Sequence, residues 1–219
     1  MAGPNASRSG QPGGTKLRDL RAGAIGEVTP DFARDIERDP RLLAEVARAI
    51  SDTNFPATLD DDILDAVGIS TEAADLLTAP SKPTRRNDAA FRELVLVAYE
   101  YRCAICGYDG LLIREKVGIE AAHVRWWAAD GPDELSNALA PCSLHHKLFD
   151  RGAIGLTTNH TAAVSTHFIG RSAAAEGSVL SLVDRPLLMP QAGQSKPHSD
   201  QIAWHRREVF RAPARQAVI

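Results

Sequence analysis

The segment from Tyr101 to Arg151 holds most of the metal-binding side chains of this 219-residue chain. It contains all three cysteines and three of the seven histidines. The relevant runs are Tyr101-Arg-Cys-Ala-Ile-Cys-Gly107, Ile119-Glu-Ala-Ala-His-Val124 and Ser136-Asn-Ala-Leu-Ala-Pro-Cys-Ser-Leu-His-His-Lys-Leu-Phe-Asp-Arg151. Two separate sets of potential metal ligands are interleaved in these runs.

The first constellation consists of two short ligand pairs. Cys103 and Cys106 are separated by two residues, and so are Cys142 and His145. This spacing lets one tight turn direct both donors of a pair at a single ion. We therefore predict a structural zinc site with three cysteines and one histidine. The alternative is three small buried hydrophobic residues and a surface histidine, since free cysteine is often a core residue.

The second constellation consists of His123, Asn137 and His146, with Asp150 one helical turn beyond His146. Together with the cysteine pairs, it resembles the zinc-stapled members of the HNH endonuclease family over residues 88–155. The resemblance implies an α+β fold in which a helical segment precedes a ββα-metal module. It also implies that His123 ends the second strand of a hairpin, that Asn137 lies in a loop and that His146 opens a helix.

The resemblance assigns catalytic roles to the same residues. A neutral imidazole can take a proton from water near physiological pH, so His123 is the predicted general base. Asn137 is expected to hold the loop and thereby the ring of His123. His146 and Asp150 lie four residues apart on a predicted helix, so both can bind one catalytic Mg²⁺ or Mn²⁺ ion.

One position departs from the family pattern. Many members carry a metal-binding Asp, Glu or His directly before the base, where this chain has Ala122. Glu120 is a further candidate ligand, since alternate residues of a strand share a face, and water and phosphate oxygens would complete the shell. This departure motivates a rival hypothesis, a catalytically inactive zinc-containing DNA-binding or regulatory module. A third hypothesis is an interaction protein whose acidic helices bind a partner.

The charge distribution favours a nucleic-acid contact only near the predicted site. The net charge is −3, but residues 31–79 carry 12 acidic and four basic side chains, whereas residues 81–219 carry 14 acidic and 17 basic ones. We predict double-stranded DNA as the partner, with Arg125, Lys147 and Arg151 as its contacts. Cutting both strands with one site per chain favours a homodimer.

The segment before the module has a second resemblance. The runs Asp39-Pro-Arg-Leu-Leu, Asn54-Phe-Pro and Asp62-Ile-Leu-Asp-Ala-Val-Gly are similar to the corresponding region of modification-dependent restriction endonucleases, including those that recognise phosphorothioated DNA. In these relatives a sulfur-binding domain lies further upstream. The resemblance implies a restriction role against foreign or modified DNA. No apolar run reaches the length of a membrane span, and three cysteines in metal-like pairs fit a reducing compartment better than a disulfide framework, so the expected location is the cytoplasm.

Composition, periodicity and the family resemblance together divide the chain into five predicted segments. Residues 1–16 are rich in Gly, Pro and Ser and are predicted to be disordered. The other predicted segments are a helical segment at 17–79, a linker at 80–87, the HNH module at 88–155 and C-terminal strands with a terminal helix at 156–219. Within them we expect helices at 30–38, 40–53, 59–67 with Gly68 just past its end, 71–77, 88–101, 142–149 and 201–211, and strands at 111–114, 117–123, 153–157, 162–168 and 179–183.

Overall fold

The computed structural model describes residues 28–69 and 88–217. The predicted disordered tail at 1–16, the helical turn at 71–77 and the linker at 80–87 lie outside these residues. The chain divides into two compact units, of which the first ends at Leu43 and the second begins at Ala44. Both predicted metal constellations lie in the second unit.

Three helices lie within residues 28–69. Helix α1 spans Pro30–Arg38 and begins as predicted, with proline in its first turn and the Thr29 hydroxyl accepting a hydrogen bond from the backbone N–H of Phe32. Helix α2 spans Pro40–Asn54. A 3₁₀ turn at Ala57–Leu59 leads into helix α3, Asp60–Ala66, and Gly68 follows with φ of +78°, as expected for a residue just past a helix end.

Helix α4, Asp88–Ala98, begins the part of the chain that carries the predicted site. Phe91, Val95 and Leu96 are buried in the main core. Leu94, three residues after Phe91 on the same helix, is 44% exposed and lies outside this core.

The strand pairing differs from the predicted hairpin. Strand β1, Leu111–Leu112, pairs with β2, Glu115–Lys116, so the expected pairing of 111–114 with 117–123 is wrong. The chain turns at Ile113 and Arg114, where φ is +55° and +106°. Because of this early turn, β1 pairs with residues 115–116 and not with residues 117–123.

The strand that ends at His123 has a different partner. Strand β3, Ala122–His123, pairs antiparallel with β4, Ala138–Leu139, and His123 lies opposite Ala138. A 3₁₀ turn at Leu135–Asn137 directly precedes β4. The loop from β3 to β4 therefore begins at the predicted base and ends at the predicted loop asparagine.

Helix α5, Ser143–Asp150, completes the ββα arrangement of β3, β4 and a helix. It follows β4 after Pro141, and its buried side chains are His145, Phe149 and Asp150. Phe149 is fully buried in the main core together with residues of α4, β4 and the C-terminal region. Both predicted metal constellations thus have residues on one short helix.

The C-terminal region packs into the same core. Strands β5, Ile154–Leu156, and β6, Ala162–Val164, lie within the two predicted strands and pair antiparallel. The predicted strand at 179–183 is wrong: helix α6 covers Ala173–Ser178 and a 3₁₀ turn covers Leu180–Leu182. Ser172 caps the N-terminus of α6, because its side chain accepts a hydrogen bond from Ala175 N–H. The chain then continues into the 3₁₀ turn.

The last helix, α7, spans Ser199–Glu208 and ends earlier than predicted. Its buried residues are Ile202, Trp204 and His205. Within 28–69 and 88–217, none of the helices combines the length and the apolar character needed to cross a bilayer.

Candidate active site and metal centre

The first predicted constellation forms a compact cluster. The ligand atoms of Cys103, Cys106, Cys142 and His145 all lie within 4.8 Å of one another. The distance from His145 Nδ1 is 3.7 Å to Cys103 Sγ and 3.1 Å to Cys142 Sγ. In a tetrahedral site with Zn–S near 2.3 Å and Zn–N near 2.0 Å, sulfur and nitrogen would be about 3.5 Å apart. The donor set and its spacing fit a structural zinc ion.

Hydrogen bonds to His145 and Cys103 favour metal binding by this cluster. The Nε2–H of His145 donates to the carbonyl of Ser178 at 2.9 Å, so Nδ1 is the nitrogen available to an ion. Hydrogen bonds with Cys106 and Cys142 lower the pKa of the Cys103 thiol, which favours the thiolate that a metal binds. Because Ser178 ends α6, the C-terminal region helps to orient a ligand on α5.

The second predicted constellation lines a cavity of about 680 Å³. His123 from β3 and His146 from α5 both face this cavity, as does Asp150 at the end of α5. The wall is completed by aromatic and small residues from the loop after β3 and from the segment before α3, among them Trp126, Trp127, Phe55, Pro56, Ala57 and Thr58. The structure therefore brings the predicted base and the predicted metal ligands to one opening.

His123 is held on two sides. Its ring stacks on that of Phe91, with centroids 4.1 Å apart and planes inclined by 11°. Its Nε2 lies 2.8 Å from Oδ1 of Asp133. The side chain keeps 18% of its surface exposed, which leaves it accessible from the cavity. Asp133 was not singled out in the sequence.

Asn137 is completely buried and fastens the loop between β3 and β4. Its Oδ1 accepts from Arg125 N–H at 2.7 Å, and its Nδ2 donates to the carbonyls of Arg125 and Pro132, both at 3.0 Å. The side chain of Arg125, a predicted DNA contact, donates from Nε to the carbonyl of Ala129 at 2.5 Å. Arg125 therefore also supports this loop.

His146 lies between two carboxylates. Its Nδ1 is 2.6 Å from Oε2 of Glu120, and its Nε2 is 3.2 Å from Oδ2 of Asp150. Burial alone would lower the pKa of His146, but the hydrogen bond with Glu120 and the negative charges nearby raise it overall. Ser143 donates to the other oxygen of Glu120 at 2.5 Å, so the orientation of that carboxylate is fixed.

The segment before α3 reaches the end of α5. The hydroxyl of Thr58 donates to Oδ2 of Asp150, and Asp62 forms an ion pair with Arg151. Burial raises the pKa of Asp150. Lys147 is exposed, and in the described part of the chain no hydrogen bond or ion pair engages its side chain. Of the three predicted DNA contacts, only Lys147 has a side chain without such a partner there.

Comparison with known proteins agrees with this geometry. Residues 103–157 match the family model HNH_2, described as HNH endonuclease. The matched range contains the Cys3His cluster, His123, Asn137, His146 and Asp150. The chain therefore contains a nuclease domain of the HNH type, that is, a phosphodiester hydrolase.

Among solved structures, one similar chain is the "Modification dependent TagI restriction endonuclease". The two share 22% sequence identity with a TM-score of 0.41, over 59% of this chain and 40% of the TagI chain. This chain thus corresponds to less than half of that enzyme's length. None of the curated proteins matches the chain significantly.

Proposed function

We propose that this protein is a metal-dependent endonuclease that hydrolyses phosphodiester bonds of double-stranded DNA, as a restriction-type enzyme acting on foreign or modified DNA. The observation that carries the proposal is the cavity lined jointly by His123, His146 and Asp150 within the HNH domain. Such a site combines a proton acceptor with donors for a divalent ion, the two components that phosphodiester hydrolysis needs.

In the proposed reaction, His123 removes a proton from the attacking water. The water oxygen forms a bond to phosphorus while the bond to the 3′ oxygen breaks, giving a 5′-phosphate and a 3′-hydroxyl. Asn137 acts through the loop, because its three hydrogen bonds hold both ends of the segment that flanks His123.

His146 and Asp150 are the residues that would hold Mg²⁺ or Mn²⁺. Two adjacent ligands of an octahedral ion, each about 2.1 Å from it, are about 3 Å apart, which fits the 3.2 Å between His146 Nε2 and Asp150 Oδ2. The bound ion would act as a Lewis acid on the phosphate. Glu120 contacts the opposite ring nitrogen, so we assign it an orienting role instead of ligation.

The catalytic ion would have few protein ligands. Among residues 28–69 and 88–217, only the Cys3His group brings three or more such donors within 4.8 Å of one another. Ala122 is buried and supplies none. A hard ion that keeps several waters tolerates this arrangement. The same observation favours the second candidate function, a catalytically inactive zinc-containing DNA-binding module.

Several finer assignments belong to the proposal. Zinc in the Cys3His site would hold the module together, and the three free thiol side chains support a reducing compartment such as the cytoplasm.

Lys147 is the best placed phosphate contact because it is exposed. Arg151 would have to exchange its ion pair with Asp62 for a phosphate. A homodimer would supply one His123 for each strand.

Plasmid cleavage with Mn²⁺ or Mg²⁺ tests the proposal. We expect His123→Ala to cut about 10²- to 10⁴-fold more slowly than the unaltered protein, because a general base contributes a factor of that size. Zinc content and circular dichroism should stay unchanged. His167→Ala is the matched control, since His167 is exposed and does not line the cavity. No cleavage by the unaltered protein would favour the inactive module, and equal cleavage by both variants would refute the assignment of the base.

The substrate class is tested by comparing DNA that carries phosphorothioate linkages or methylated bases with unmodified DNA of the same sequence. A modification-dependent enzyme cuts only the modified substrate. Equal cleavage of all three substrates would exclude this part of the proposal.

A further inference from the structure

We propose that Asp133 is the positioning residue for His123 and that it makes Nδ1 the ring nitrogen that accepts the proton from water. The inference rests on the proposed nuclease function and deepens it. It starts from the 2.8 Å contact between Asp133 Oδ1 and His123 Nε2.

The contact fixes the tautomer of the imidazole. An ionised carboxylate can only accept hydrogen bonds, so the proton of the neutral ring must be on Nε2. The lone pair then belongs to Nδ1. Phe91 fixes the ring plane by stacking at 4.1 Å, and Asp133 fixes the rotation of the ring within that plane. The two contacts together leave the imidazole one orientation.

The backbone directly before Asp133 is held in place by contacts of Pro132 and Gly131. Asn137 Nδ2 donates to the carbonyl of Pro132, the residue directly before Asp133. Gly131 packs so closely that a Cβ there would lie 1.9 Å from the carbonyl oxygen of Arg125. The buried asparagine therefore acts on the base through the turn that presents Asp133, which links the middle and first residues of the H-N-H constellation.

The proton path then balances without any further group. Nδ1 takes one proton from the attacking water, and the ring becomes an imidazolium paired with the carboxylate of Asp133. The water oxygen bonds to phosphorus, and the 3′ oxygen leaves with the electron pair of the broken bond and is protonated by solvent. Nδ1 later returns its proton to solvent. The negative charge of Asp133 stabilises the imidazolium, so its removal should slow the step that forms it.

Cleavage kinetics under single-turnover conditions provide the first test. We expect Asp133→Ala and Asp133→Asn to lower the rate constant about 10- to 100-fold, the usual effect of losing a group that orients a site residue. The dissociation constant for DNA and the zinc content should change by less than about twofold, since Asp133 acts in the proton transfer step. Glu134→Ala is the matched control, because Glu134 is the adjacent, exposed carboxylate of the same loop.

The second test reads the tautomer directly. Long-range ¹H–¹⁵N NMR correlations of the unaltered protein at pH 8 should show His123 protonated on Nε2, and Asp133→Ala should give a mixture of tautomers. A ring protonated on Nδ1, or Asp133→Ala cleaving at the unaltered rate, would overturn the inference. The NMR result does not require cleavage, so an Nε2–H tautomer in a protein that cuts no DNA would refute the nuclease proposal and leave the contact itself confirmed.

Discussion

His205 is predicted to make the stability of the protein depend on pH. Its side chain is fully buried, its ring lies flat on that of Phe149 with centroids 3.8 Å apart, and its Nε2–H donates to the carbonyl of Phe149 at 3.1 Å. Its Nδ1 is buried and has no hydrogen-bond partner among the described residues. Burial, with a smaller contribution from the neighbouring Arg206, lowers the pKa of His205 from 6.5 to about 4.

The direction of the effect follows from the two pKa values. Between pH 6.5 and pH 4 the unfolded chain binds a proton at His205 that the folded chain does not, so stability falls as the pH falls. One unit of pKa difference is worth about 1.36 kcal/mol, so a difference of about 2.5 corresponds to a total loss of about 3.4 kcal/mol in the free energy of unfolding. Between pH 7 and pH 5 the expected loss is about 2 kcal/mol.

Urea unfolding of the zinc-loaded protein at pH 7, 6 and 5 measures this loss. His205→Gln cannot be protonated, so its unfolding free energy should decline by about 2 kcal/mol less over this range than that of the unaltered protein. Protonation of the zinc ligands affects both proteins and cancels in the difference. His198→Gln, which alters an exposed histidine, should retain the full dependence. Equal pH slopes for the unaltered protein and His205→Gln would refute the reasoning.

Three further predictions concern the two metal sites and DNA. Cys142→Ser should abolish equimolar zinc binding, measured by atomic absorption, and lower the midpoint of thermal unfolding, measured by calorimetry, because the site contributes to folding. Undiminished zinc content would contradict the assignment of Cys142 as a ligand. Thr58→Val should raise the Mn²⁺ concentration for half-maximal cleavage about tenfold, because Asp150 loses an orienting hydrogen bond, whereas zinc content should not change; an unchanged Mn²⁺ requirement would exclude this role. Lys147→Ala should weaken DNA binding and reduce the slope of log K against log salt concentration by about 1, and an unchanged slope would argue against a phosphate contact.

The sequence predicted the Cys3His cluster well because its information is local. Each pair spans one turn, so ligand spacing alone specifies how two donors converge. The joint placement of His123 and His146 at one cavity also follows the family resemblance. Helix α1 and the end of α3 were predicted because Thr29-Pro30 and Gly68 carry strong local signals.

Other features depend on contacts that no periodicity reveals. Thr58 and Asp150 are 92 residues apart, and Asp133 meets His123 because the loop that Asn137 fastens folds back on the strand. The hairpin was misassigned because the turn at Ile113-Arg114 has positive φ at two residues, without the glycine or asparagine that usually marks such a turn.

We expect two different ions to bind around helix α5. Anomalous diffraction from crystals soaked in Mn²⁺, recorded at the zinc edge and at a wavelength where manganese dominates, distinguishes the two sites. We predict a zinc peak amid Cys103, Cys106, Cys142 and His145, and a separate manganese peak bound to His146 Nε2 and Asp150. A single ion, or manganese bound away from His146, would contradict the account.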